Sequence, residues 1–144
     1  MIIDSFSEEY AFLSNFAYVR RGIVLPFDSS IYPSVEHAYQ AAKTLNMTQR
    51  VEICNAKSAG MAKRLGKNVV IRPDWDNIKI DLITDLLCQK FSKEPFRSKL
   101  LSTGNATLIE GNTWGDCFWG VCDGIGENNL GQILMLIREG LSGQ

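Results

Sequence analysis

Helix start and stop signals recur so often along this chain that an extended sheet has no room to form. Pro33 opens PSVEHAYQAAKTLN, Thr48 and Ser58 each offer a hydroxyl at the head of a short helical run, and Pro95 opens FRSKLLST. Asn128 or Asn129 can cap LGQILMLIREGL, while Gly66 and Gly104 stand where helices end. Each of these residues satisfies or avoids an orphaned backbone group at a helix terminus. The longest run follows Asp74, in WDNIKIDLITDLLCQKFSK, where Ile78, Leu82 and Leu86 recur at helical spacing for about four to five turns. Between the helices, YVRRGIVLPF reads as a hairpin around Arg21-Gly22 and ATLIE as a short strand. The sequence therefore predicts an α+β fold, compact and mainly α-helical, with a small β element. No repeat, low-complexity tract or linker interrupts it, and 144 residues suit a single domain over 1–144.

The formal charge is −1, from 15 Lys and Arg against 16 Asp and Glu. That excludes the strongly basic surface that drives non-specific nucleic-acid binding, although KSAGMAKRLGK gathers Lys57, Lys63, Arg64 and Lys67. Cys54, Cys88, Cys117 and Cys122 form no C-x-x-C pair and His37 is the sole histidine, so no metal site and no cofactor is expected. Four reduced thiols, no apolar run of membrane-spanning length and an acidic N-terminal stretch point to a cytoplasmic protein with no membrane association. No obligate protein partner is evident.

Two segments carry polar groups in suggestive patterns. On the Pro33 helix, Glu36, Tyr39, Gln40 and Lys43 share one face, with Ala38, Ala42 and Leu45 opposite. Periodicity alone reads that stripe as a solvated face, and it reads His37, off the stripe, as a structural hydrogen-bonder. The segment EGNTWGDCFWG (110–120) holds two of the three tryptophans with two acids and three glycines. Trp114 and Trp119 suit either a slot that stacks a planar heterocycle, with Glu110, Asn112 and Asp116 at its rim, or two plugs in the core. Glycines in GIGENNLG (124–131) precede a helix, where backbone N–H groups can hold a phosphate or merely serve the turn.

FLSNF (12–16), YPSVEHAYQAAK (32–43), AGMAKRLGKNVVIRPDWDNIK (59–79), KF (90–91), LLSTGNATLIEGNTWGDCFWGV (100–121) and GIGENNLGQILMLIR (124–138) together resemble the NADAR, or YbiA-like, family. The resemblance implies an N-glycosidase that cleaves a nitrogen base from a ribose-phosphate or ADP-ribose unit. Phosphoribosylated pyrimidines of riboflavin synthesis and ADP-ribosylated guanine in nucleic acid are the implied substrates, so the partner is a small nucleotide-like molecule or an ADP-ribosylated nucleic acid. It also places Asn15, Phe16, Glu36, Lys43, Trp75, Glu110, Asn112, Trp114, Gly115, Asp116, Trp119 and Asn129 in or near the site. Two departures stand out: FDSSIYP lacks a glycine frequent before the Tyr-Pro pair, and Lys67 replaces a frequent arginine, keeping the charge without the planar fork.

On this reading Glu36, Lys43 and Asp116 are the catalytic candidates. A carboxylate would stabilise positive charge at C1′, and the Lys43 amine would attack C1′ to give a Schiff base that water later hydrolyses. Direct hydrolysis, with Lys43 binding phosphate, is the competing scheme, and neither requires a metal. A module that binds ADP-ribose or NAD without turnover is the alternative to an enzyme. The helix stripe and the aromatic segment are expected to line one cleft, with Arg64, Arg72 or backbone N–H groups near Asn129 on the phosphate.

Overall fold

The computed structural model describes residues 1–144 and contains six α-helices, a 3-10 helix over Glu8–Leu13 and four two-residue strands. The chain is thus a mainly helical α+β protein, and it divides into two units. No helix is long and apolar enough to cross a membrane.

The first unit spans residues 15–90. It begins with an irregular segment in which Ile23 forms an isolated antiparallel bridge with Tyr32. The expected hairpin across Arg21-Gly22 is absent: Gly22, at φ +78°, closes a turn by donating to Val19 O, and the bridging partners lie nine positions apart. Ser29, where the resembling family favours glycine, does not have a positive φ, so the turn does not need one. Asp28 instead accepts from the Tyr32 hydroxyl at 2.7 Å and pairs with Arg50 at 3.3 Å, which ties this segment to the helices that follow.

Those helices are α1 (Val35–Ala42), α2 (Met47–Cys54) and α3 (Ala59–Gly66), and they pack against one another. Ser34 caps α1 by accepting from His37 N, so Pro33 lies just outside the helix rather than at its first position. Asn46 caps α2 through Gln49 N, which places Thr48 inside the helix and corrects the expected cap. Ser58 caps α3 through Met61 N, as its position suggests. Small residues make the close approach possible: Ala38, Ala41 and Ala42 on α1 and Ala59, Ala62 and Gly66 on α3 are all buried. α4 (Trp75–Phe91) is the long helix the spacing predicts, and Ile83, Leu86 and Leu87 form its buried face.

The second unit combines residues 1–14 with 91–144. β1 (Ile2–Ile3) pairs in parallel with β2 (Thr107–Leu108), the strand read from ATLIE. α5 (Phe96–Ser102) and α6 (Asn129–Ser142) pack together, and Leu100, Leu108, Leu130 and Leu134 form much of the core. Burying each such side chain stabilises the fold by ~1.5–3 kcal/mol. β3 (Gly111–Asn112) pairs in parallel with β4 (Val121–Cys122), so the aromatic segment is a loop clasped between two short strands.

Candidate active site

The polar stripe is not a solvated face: Glu36 and Gln40 are buried, and Tyr39 and Lys43 are half-buried. Glu36 is 7% exposed and Gln40 5%, and every residue of the helix except Tyr39 is buried. Periodicity identifies which side chains share a face but not what lies across it, and here α3 does. A carboxylate and an amide in such a place need partners. Gln40 Nε2 donates to Glu36 Oε1 at 2.8 Å, and Lys43 Nζ donates to Gln40 Oε1 at 3.0 Å and to the Gly66 carbonyl at 3.1 Å. Carboxylate, amide and amine thus form one hydrogen-bonded row along the helix.

Burial lowers the pKa of Lys43, Glu36 pulls it back up, and Lys67 lowers it again, with a net downward shift. The amine is held closer to its neutral form than a solvated lysine would be. Asn15 lies beside this row, because its main-chain carbonyl accepts from Glu36 N at 3.0 Å. Its side-chain Oδ1 is buried and accepts no hydrogen bond from the protein. A buried acceptor left in that state costs free energy until a donor arrives, which is what a ligand hydroxyl would supply.

The other members of this group differ in exposure. Phe16 is 45% exposed, with Lys63 Nζ 6.0 Å from its ring centre. Trp75 is 7% exposed and meets Tyr39 edge-on at 5.2 Å, so its ring packs inside the unit. His37 is structural, as expected: Nε2 donates to Ala56 O at 3.0 Å, which leaves Nδ1 to accept from the Ser34 hydroxyl at 2.7 Å. Arg72 is committed to Asp74 through contacts of 2.6 and 3.0 Å. Of the basic cluster, Lys57, Arg64 and Lys67 are exposed and Lys63 is half-buried.

In the other unit, the aromatic segment is organised by its own polar groups. Asn112 Oδ1 accepts from Asp116 N and its Nδ2 donates to Asp116 O at 2.8 Å. Asp116 Oδ1 accepts from Phe118 N and Trp119 N at 3.2 and 3.0 Å, and Gly115 turns the loop at φ +85°. Asn129 Nδ2 donates to Phe118 O, and Asn128 bridges Glu110 N and Leu108 O instead of capping α6 with its side chain. The N–H groups of Glu127, Asn128, Asn129 and Leu130 donate to the carbonyls of Cys117, Gly120, Phe118 and Trp119. The segment itself therefore caps α6, and those N–H groups are not open to a phosphate as the glycine pattern had suggested. Trp119 meets Phe118 edge-on at 4.7 Å, whereas the Trp114 indole is 61% exposed.

Sequence reasoning missed two polar residues. Periodicity puts Gln40 on the stripe, but nothing in the sequence marks it as the link between Glu36 and Lys43. Lys90 is fully buried at the end of α4, and burial brings its pKa down to about 7. The only sequence signal for Lys90 was the KF pair within the resemblance.

A family model described as NADAR domain matches residues 4–142. An N-glycosidase YbiA of Shigella boydii is 35% identical over 142 residues, covering 96% of this chain and 86% of that protein. A riboflavin biosynthesis protein of Vibrio vulnificus is 34% identical over 138 residues, which is 93% of this chain but 36% of that protein. The NMR structure of YbiA from Escherichia coli superposes with a TM-score of 0.81 at 34% identity, covering 99% of this chain and 84% of that one.

Proposed function

Because the chain belongs to the NADAR domain family and is an N-glycoside hydrolase like its curated relatives, we propose that Glu36 and Lys43 carry the cleavage of a base from a ribose-phosphate or ADP-ribose unit. The observation that carries this reading is the hydrogen-bonded row Glu36–Gln40–Lys43, buried at Glu36 and Gln40 and half-buried at Lys43, in which an amine of lowered pKa stands on one helical face with a carboxylate. As the C1′–N bond lengthens, positive charge builds on C1′ and the ring oxygen, and the Glu36 carboxylate stabilises it. The Lys43 lone pair forms a bond to C1′ while the base departs with the electron pair of the broken bond and takes up a proton. The amine nitrogen then opens the sugar ring, whose oxygen is protonated, and leaves an imine. Water adds to the imine carbon, Lys43 is released, and the ribose aldehyde closes again to its ring form.

Asn15 Oδ1 is assigned to a ribose hydroxyl, and Lys67, which acts electrostatically on Lys43, to the phosphate. In the aromatic segment, Trp114 has the exposed indole suited to stacking on a planar base, and Asp116 is assigned to holding that segment in shape. Phosphoribosylated pyrimidines and ADP-ribosylated guanine are the substrates proposed, and the cytoplasm, where the four thiols stay reduced, is the compartment.

Incubation with a phosphoribosylated pyrimidine, NAD and ADP-ribosylated guanine, with product masses read out, tests the assignment. Release of a free base from at least one is expected, and Glu36→Gln should lower kcat by ~10²–10³. Tight binding of all three with no base released would instead mark a module that recognises ADP-ribose without turnover.

A further inference from the structure

Gln40 sits at the centre of the row, 5% exposed, with Glu36 four residues before it and Lys43 three after. An amide has one end that only donates and one that only accepts. Here the donating end meets the carboxylate and the accepting end meets the amine, and reversing the amide would set oxygen against oxygen and N–H against N–H. The orientation is therefore determined by its two neighbours and in turn determines them. Gly66 reinforces it from α3: a Cβ at that position would overlap Gln40 Oε1, so only glycine lets the amide lie where it does while the Gly66 carbonyl reaches Lys43.

The bonds at Nζ have a chemical consequence. A neutral amine carries two N–H bonds and one lone pair, whereas an ammonium carries three N–H bonds and none. Lys43 has two acceptors in the protein, Gln40 Oε1 and Gly66 O, which match the two N–H bonds of the neutral amine and direct the lone pair elsewhere. If Glu36 contacted Nζ directly, its charge would hold the proton on the lysine. A neutral amide between them keeps the carboxylate off the amine, which burial draws toward its neutral form.

We propose that Gln40 is a positioning residue, whose amide separates Glu36 from Lys43 and aims the Lys43 lone pair at the sugar carbon. The inference rests on the reading of Glu36 and Lys43 as the catalytic pair. The charged groups facing Lys43 agree with it. On its own helix Glu36 raises the lysine's pKa and at the end of α3 Lys67 lowers it. Arg50 of α2 is turned to the Thr44 carbonyl and Asp28, and Lys63 of α3 to the Phe16 ring.

The test uses the full chain with Gln40→Glu and Gln40→Met, checked for folding by thermal melting. Acetic anhydride modification of Lys43, followed by peptide mass spectrometry across pH, reads the amine without any substrate. Gln40→Glu places a carboxylate against Nζ, and Gln40→Met lets Glu36 approach it, so both should move the Lys43 modification midpoint up by about one pH unit or more. With a phosphoribosyl N-glycoside, kcat at neutral pH should fall about tenfold or more with KM little changed, since one unit removes about nine-tenths of the neutral amine. The Gln40→Glu rate should recover as pH rises. A folded variant of either kind that keeps the wild-type midpoint and pH profile overturns the proposal and makes Gln40 a space-filler. Loss of the Schiff base in the wild-type enzyme would defeat the catalytic reading but leave the modification midpoints to decide the role of Gln40.

Discussion

Lys90 ends the face of α4 that carries Ile83, Leu86 and Leu87, and it is as buried as they are. An ammonium loses its hydration there, which is why burial brings the pKa down to about 7 from an unfolded value of ~10.4. The sign of the linkage follows. Between about pH 7 and pH 10 the unfolded chain binds a proton that the folded chain does not, so stability rises with pH across that window. Below pH 7 both states carry the proton and the contribution is lost. Wild-type protein should therefore melt at higher temperature at pH 9 than at pH 6.5, and Lys90→Met should flatten that slope. The difference between the two slopes is on the order of a few kcal/mol, or roughly 5 °C or more in Tm. Parallel Tm curves for wild type and variant would show that Lys90 does not titrate in this range. Nothing in the spacing of α4 marks Lys90 as unusual, because a lysine at an apolar position looks the same in sequence whether it bends out to water or stays inside.

At the scale of elements, the sequence shows where helices lie better than what faces them. Ser58 is legible as a cap because its hydroxyl reaches Met61 N from the ordinary N-cap position. Thr48 misleads because Asn46, two residues earlier, has the same capping chemistry and the apolar pattern does not choose between them. The hairpin at Arg21-Gly22 fails for a different reason: β-branched residues on both sides of a glycine suit a hairpin, yet Tyr32 supplies the partner for Ile23 from farther along the chain. The buried face of α1 required knowledge of α3, whose small residues bring Gly66 against Gln40. This packing makes a testable separation of stability from activity. Gly66 does not have a positive φ, and alanine favours helix over glycine by up to ~1 kcal/mol, which offsets part of the ~1–3 kcal/mol that overpacking against Gln40 costs, so Gly66→Ala should still fold, with a Tm several degrees below wild type. Its methyl group would nonetheless displace the Gln40 amide, and kcat should fall about tenfold or more. Wild-type kcat in a folded Gly66→Ala protein would mean that the amide position does not matter to the reaction.

Across the whole molecule, composition and charge set the class of protein, and the resemblance over nearly the full chain set the reaction. The family model over residues 4–142 and the 35% identity to an N-glycosidase bear out both the family and the enzyme class. Individual roles were less legible. EGNTWGDCFWG stands out through its composition, yet its Asn112 and Asp116 side chains serve the loop itself, and its carbonyls cap α6, a task that no residue pattern announces. The FLSNF match brings Asn15 to the site, but its buried oxygen without a protein partner is a property of the folded chain alone.

In the proposed mechanism the amine of Lys43 becomes covalently attached to C1′ during turnover. An imine is reduced by borohydride to a stable secondary amine, whereas a noncovalent complex is left unlinked. Turnover of a phosphoribosylated pyrimidine in the presence of borohydride should add the mass of the ribosyl-phosphate fragment to the protein, on the peptide that carries Lys43, and Lys43→Arg should abolish both the adduct and base release because its guanidinium keeps the charge without serving as the nucleophile. An adduct on Lys90, or no adduct in an enzyme that releases base at the normal rate, would contradict the account.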